Sequence, residues 1–160
     1  MLNKNINDLG LFKEEIHKAL FQNDNIKNLI LGDMSEMNSA QLTKKFNKHV
    51  NSHLFVDETV MDTGTYIYYD VTIPIIHTNT KECKVTFYAI CHRDVVDGCY
   101  VEGYHGNRTD ILSRMIEETL LDPEVRNKFG IGEMNLDSVI IYNATRFYGR
   151  ILTFSVPNFR

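Results

Sequence analysis

The chain has 160 residues, 43% hydrophobic and 24% charged, with a formal net charge of −4. That length fits one domain, residues 1–160, which can bury a core without disulfides or a structural metal, and the composition excludes disordered, collagen-like and disulfide-dense chains. The acidic balance excludes a global positive field for nucleic acid or an anionic membrane, and no apolar run approaches the roughly 18 residues of a bilayer span.

Met1 to Asn5 lack the apolar core of a secretion signal, so the chain is expected to work in, or be assembled in, a cytosol. Leu9, Phe12, Ile16, Ala19 and Leu20 recur at steps of three and four, which predicts an amphipathic helix over residues 8–22 capped by Asp8. Leu29-Ile30-Leu31 is a short apolar run before Gly32, and residues 34–38 read as loop. A second helix is expected from Ser39, an N-cap residue, because Leu42, Phe46 and Val50 fall four apart; its other face carries Lys44, Lys45 and Lys48.

From residue 54 the period drops to two, the signature of strands. Ile67, Tyr69, Val71, Ile73 and Ile75 alternate with Tyr66, Tyr68, Asp70, Thr72 and Pro74. Pro74 donates no ladder hydrogen bond and so belongs at an edge, a bulge or a strand end. Residues 77–81 have turn composition, and a strand over 83–92 returns antiparallel. Gly98, Gly103 and Gly106 make 95–106 a loop. Asn107 or Thr109 then caps a helix with the stripe Ile111, Leu112, Met115, Ile116 and Leu120, an Asp110 at its positive end and a four-spaced Arg114–Glu118 pair. Pro123 ends it or opens a short helix through Lys128; Gly130 and Gly132 form a turn, and 139–142 and 148–156 are strands. The predicted fold is α+β, a mainly antiparallel sheet packed by helices in the order α-α-β-β-β-α-β-β, with a helical part over 1–50 and a sheet-and-helix core over 54–160.

Chemistry is sparse. Cys83, Cys91, His92, Cys99 and His105 are zinc-ligand types, but the nearest cysteines have seven residues between them, against the two to four of a zinc knuckle. Cys83, Val85, Phe87, Ala89 and Cys91 share one strand face, which makes both thiols core residues. His92-Arg93-Asp94 opens like a kinase catalytic loop, yet Cys99 stands where that loop needs its Asn. Gly130-Ile131-Gly132 follows a helix and precedes a strand, the reverse of a dinucleotide fingerprint. Asn107-Arg108-Thr109 and Asn143-Ala144-Thr145 are glycosylation tripeptides that matter only in an exported chain. No enzyme, metal or cofactor is expected.

The aromatic residues point to protein contacts. Tyr66, Tyr68, Tyr88 and His92 lie opposite the core-facing rows, and Tyr100 and Tyr104 sit in the glycine-rich loop. These six are the candidate interface residues, since exposed aromatic groups mark interaction sites, unless another layer covers that sheet face. Lys44, Lys45 and Lys48, with His49 and His53, are the candidate nucleic-acid contact under the alternative reading of a small binding or regulatory module; Arg146, Arg150 and Arg160 form a second basic scatter.

Arg108-Thr109-Asp110-Ile111-Leu112 with its helix, Phe129-Gly130-Ile131-Gly132, and the ending from Tyr148 to Val156 resemble the C-terminal half of tailed-phage neck proteins, the tail-terminator, tail-completion and head-tail joining components. The strand pair 66–76 and 84–92 extends the resemblance back to about residue 54. It implies a structural virion protein without catalytic residues. Its expected partners are further copies of itself in a ring, often sixfold, the tail tube and the neck or connector proteins, with transient contact to passing DNA and none to membrane. Its expected place is a virion assembled in the host cytoplasm.

Overall fold

The computed structural model describes residues 5–128 and 133–159. In chain order these form α1 (Asn5–Gln22), α2 (Asp24–Leu31), α3 (Ser39–His49), β1 (Val50–Asn51), β2 (Thr65–Ile76), β3 (Lys81–His92), α4 (Arg108–Leu121), α5 (Pro123–Lys128), β4 (Asn135–Asn143) and β5 (Phe147–Phe159), with 3-10 turns at Glu58–Val60 and Arg93–Val95. The strands make a five-stranded sheet in the order β1-β2-β3-β5-β4. Only the two-residue β1 runs parallel to its neighbour, so the sheet is mainly antiparallel and the fold is α+β, as the periodicity implies.

Side-chain caps set the helix starts. Asn38, not Ser39, is the N-cap of α3, closing a capping box with Gln41. Asn107 caps α4 and Asp110 returns the bond, which resolves the choice between Asn107 and Thr109. Asp8 lies inside α1 rather than at its cap, and its carboxylate meets Lys81 at 2.6 Å. The run Leu29-Ile30-Leu31 ends a further helix, α2, whose N-cap Asn23 accepts from the Ile26 amide; Gly32, at φ 69°, stops it. Val50, expected on α3, is instead a buried residue of β1. Pro123 opens α5, and the Arg114–Glu118 pair forms at 3.0 Å. The expected Gly130 and Gly132 turn lies outside the described residues.

Alternation on the central strands decides the two sides of the sheet. Ile67, Tyr69 and Val71 of β2, Cys83 to Ala89 of β3 at every second residue, and Leu152, Phe154 and Val156 of β5 face the helices and form the main core with Ile16, Leu20, Ile26, Phe46, Leu112 and Ile116. Helix α1 leans on β2, and α4 on β3 and β5. Phe87 is the hub, 5.7 Å from both Tyr69 and Phe154 ring to ring. Each such side chain, fully withdrawn from water, contributes about 2 kcal/mol. Pro74 sits where the β2–β3 register shifts, between Thr72 and Ile75, so a bulge absorbs its missing donor.

Gly149 of β5 stands opposite Ile90, where an added Cβ would collide with the Ala89 carbonyl. The main chain cannot yield there without breaking the β3–β5 ladder. Gly149→Ala is therefore expected to cost more than a typical point substitution, above about 3 kcal/mol, and chemical denaturation of the two proteins measures the difference.

Candidate functional site

The outer face of the sheet, away from the helices, is where the expected interface residues fall, and it is covered unevenly. Residues 52–64 run as an irregular strap across one end. Beneath it Tyr66, Tyr68, Ile90 and Phe147 form a second, smaller apolar cluster, with Leu54, Val56 and Met61 of the strap packed on it. Tyr66 and Tyr68 are only 2% and 6% exposed, so neither offers a surface to a partner, and the covering layer is a loop rather than a helix. Burial raises the pKa of both phenols.

The strap is fastened at both ends. Glu58 Oε1 accepts from the Arg146 and Phe147 amides, each at 3.0 Å, fixing the 3-10 turn to the start of β5. Asp57 caps that turn through Thr59, and these bonds lower its pKa. At the other end His49 is buried and stacks on Tyr66 at 4.4 Å. Its Nδ1–H donates to the Thr65 carbonyl at 2.8 Å. His49 is thus an internal residue, not part of an accessible basic face. Burial pushes its pKa below the ordinary imidazole value despite the Thr65 bond, and Lys45 and Lys48 push the same way while Asp62 opposes them.

Away from the strap the outer face opens. Tyr68 stands opposite Tyr88, Tyr88 opposite Ile151, and Ile151 opposite Ile140, so one row crosses the sheet from buried to exposed. Tyr88 is half-buried, 5.3 Å from Tyr142, and His92 is half-buried, edge-on to Phe147 at 5.4 Å. On the opposite, helix side, Tyr100 is 84% exposed, whereas Tyr104 is partly buried and donates to Glu118 at 2.7 Å. The six expected residues therefore do not form one patch. The sheet separates Tyr100 and Tyr104 from the others. Beyond the six, large apolar groups are exposed at Ile6 and Leu11 on α1, at Phe55 and Val60 on the strap, both 74% exposed, at Ile75 and Ile76 near the end of β2, and at Val139, Ile140 and Ile141 on β4, at 49%, 56% and 58%.

Of the candidate nucleic-acid contacts, Lys45 donates to the Leu31 carbonyl at the end of α2, Lys48 pairs with Asp62 at 3.1 Å, and Lys44 is exposed. Arg150 is held by Asp110 at 2.9 Å. Cys83 and Cys91 are buried and burial pushes each thiol up to about 12, so neither is a thiolate at neutral pH. Among the described residues no group of three or more His, Cys, Asp or Glu is placed to hold a metal ion. A groove of about 340 Å³ between α1 and the strap is lined by Lys13, Glu14, His17, Lys18, Ser52 and Tyr69. Its polar groups are turned on one another: Lys13 pairs with Asp70 at 2.6 Å and donates to Ser52, and His17 meets Asn47 at 2.7 Å.

These features define a class: a helix-backed α+β sheet domain with exposed apolar groups on its strap and on its terminal strand β4. The chain belongs to the YomW family, which it matches over residues 13–156. That family is derived from Bacillus phages, so the chain is phage-related. The match takes in most of the helical N-terminal part as well as the sheet. No curated protein matches the chain. Among the described residues no helix is long and apolar enough to cross a membrane.

Two measurements examine the strap. Glu58→Ala removes the acceptor of two main-chain donors and is expected to lower stability by about 2 kcal/mol while raising amide exchange at Arg146 and Phe147. For His49, the unfolded imidazole takes up its proton near pH 6.5 and the folded one only at lower pH, so the unfolded state binds more protons between those values. Its contribution is complete above about pH 6.5 and is lost as pH falls toward the folded value. His49→Gln should flatten that part of the stability curve; an unchanged slope would contradict the assignment.

Proposed function

We propose that this protein is a structural component of a phage particle, a ring-forming tail-terminator or head-tail neck protein. The observation that carries the reading is the position of its exposed apolar groups: Phe55 and Val60 on the strap outside the sheet, and Tyr100 on the loop of the helix side. A ring closes through heterologous contacts, in which one patch on a protomer meets a different patch on the next. Two unlike apolar groups on opposite sides of one sheet are what such a contact needs, and membership of a phage-derived family supports a phage role. The partners in this reading are further copies of the chain, the tail tube and the connector, in a virion assembled in the host cytoplasm.

The test is sedimentation of the full chain across concentration, alone and with tail or connector proteins, together with assay of purified particles for the protein. Wild type is expected to form a closed oligomer above two copies, on its own or on those partners, and to be present in particles. Phe55→Glu with Val60→Glu should abolish that oligomer without unfolding the chain, since both side chains are largely in water. A strict monomer absent from particles overturns the reading.

A further inference from the structure

The two edges of the sheet are treated very differently. Along β2 the edge is guarded: β1 pairs with Ile67 and Tyr68, Asp70 Oδ1 accepts from the Val71 amide at 2.8 Å, Lys13 closes over Asp70, and a bulge with Pro74 follows. These are devices by which sheets avoid edge-to-edge pairing. β4 is the other terminal strand. From Ser138 to Asn143 it has regular pairing to β5 on one side, no Lys, Arg, Asp, Glu or Pro, and three successive aliphatic residues about half exposed. Val139 and Ile141 lie on the helix side, opposite Leu152 and Arg150, but α4 packs over β3 and β5 and leaves them in water; Ile140 lies on the outer side.

We infer that the β4 edge is a pairing surface for a second copy of this chain, joined antiparallel about a two-fold axis at Ile140. Self-complementarity selects this occupant. With both helix layers on the same side, residues opposed across the junction must share a face, so the sum of their numbers is even. Placing Ile140 opposite itself sets Val139 against Ile141 twice and Ser138 against Tyr142, while Asp137, at the register shift, is held by the Ser155 hydroxyl of its own β5. All three aliphatic residues then meet aliphatic residues. Shifting the register by two sets Ser138 against Ile140 in one direction and Val139 against Asn143 in the other. In a molecule of net charge −4, this strip lets two copies meet with no like charges opposed. The guarded β2 edge offers β4 no equivalent run of free main chain, which disfavours a head-to-tail extension of the sheet. The contact is small beside the about 800 Å² per partner of a stable complex, so main-chain hydrogen bonds carry it and it forms in a concentration-dependent way. This pairing uses a different surface from the ring contact and stands or falls separately.

The experiment is analytical ultracentrifugation, from low to high concentration, of the full chain carrying Phe55→Glu with Val60→Glu, which removes the ring contact, with circular dichroism confirming that each variant folds. The mass of this ring-deficient chain should climb from about 18.6 kDa toward twice that value. Adding Ile140→Lys alone or Ile140→Glu alone should leave it monomeric, because each opposes its own charge at the axis. An equimolar mixture of the two should regain the dimer, a rescue that a merely destabilised fold would not give. A ring-deficient chain that stays monomeric at every concentration, or an association indifferent to both Ile140 substitutions, overturns the proposal. A wild-type oligomer that Phe55→Glu with Val60→Glu reduces to monomer would support the ring and overturn this pairing.

Discussion

The ladder between β3 and β5 is the constraint on which everything else in this fold rests. It joins eleven residue pairs from Lys81↔Phe159 to His92↔Phe147 and places both strands in the middle of the sheet. Gly149 lets the two main chains close where any side chain would strike the Ala89 carbonyl. Because β3 is flanked by β2 and β5, its odd-numbered residues are sealed under the helices while Ile90 is sealed under the strap. One strand thus nucleates two apolar layers, and loosening it would open both.

The two layers are unequal, which shapes the surface. Four helices supply regular apolar stripes to the inner side, so that core extends from Phe12 to Leu120. Among the described residues the outer side has a thirteen-residue irregular segment, 52–64, to cover a sheet of five strands. It covers the His92–Phe147 end and stops, leaving a gradient from buried Tyr68 through Tyr88 and Ile151 to exposed Ile140. The strap itself turns Leu54, Val56 and Met61 inward and leaves Phe55 and Val60 outward. Exposed apolar surface here is therefore a consequence of how little chain is available to the outer layer, as well as a candidate place for partners.

Much of this was legible in the sequence because it depends on periodicity. The alternating faces of β2 and β3, the buried thiols and the stripe of α4 all follow from spacing alone, and the cap of α4 narrows to Asn107 or Thr109. What periodicity cannot register stayed hidden. α2 has eight residues, too few to show a helical repeat beyond the run Leu29-Ile30-Leu31, and its true signals were Asn23 and Gly32 at its ends. The period of two read from residue 54 does not make a strand until Thr65, so alternation located Tyr66 and Tyr68 on the outer face but not the irregular strap that lies over them. Val139-Ile140-Ile141 reads as a strand whether central or terminal; only the sheet order makes it an edge. Glu58 carried no motif, since its partners are main-chain amides 88 and 89 residues away.

The tyrosines illustrate why residue type alone misled about exposure. Tyrosine is enriched at interfaces because one end is apolar and the other seeks a hydrogen bond, but the same property suits it to join layers within a protein. Tyr66, Tyr68 and Tyr69 do this from one strand. On the outer side Tyr66 donates to the Asp62 carbonyl at 3.0 Å and Tyr68 meets the Met61 sulfur at 3.5 Å, both in the strap. On the inner side Tyr69 donates to the Lys13 carbonyl of α1 at 3.1 Å. Each ring is buried against its own layer while its hydroxyl reaches a group of the covering segment. A phenylalanine at these positions would keep the burial and lose the tie. That makes β2 the strand on which strap and helix layer are held to the sheet, and it accounts for a tyrosine-rich strand whose aromatic groups are internal rather than displayed.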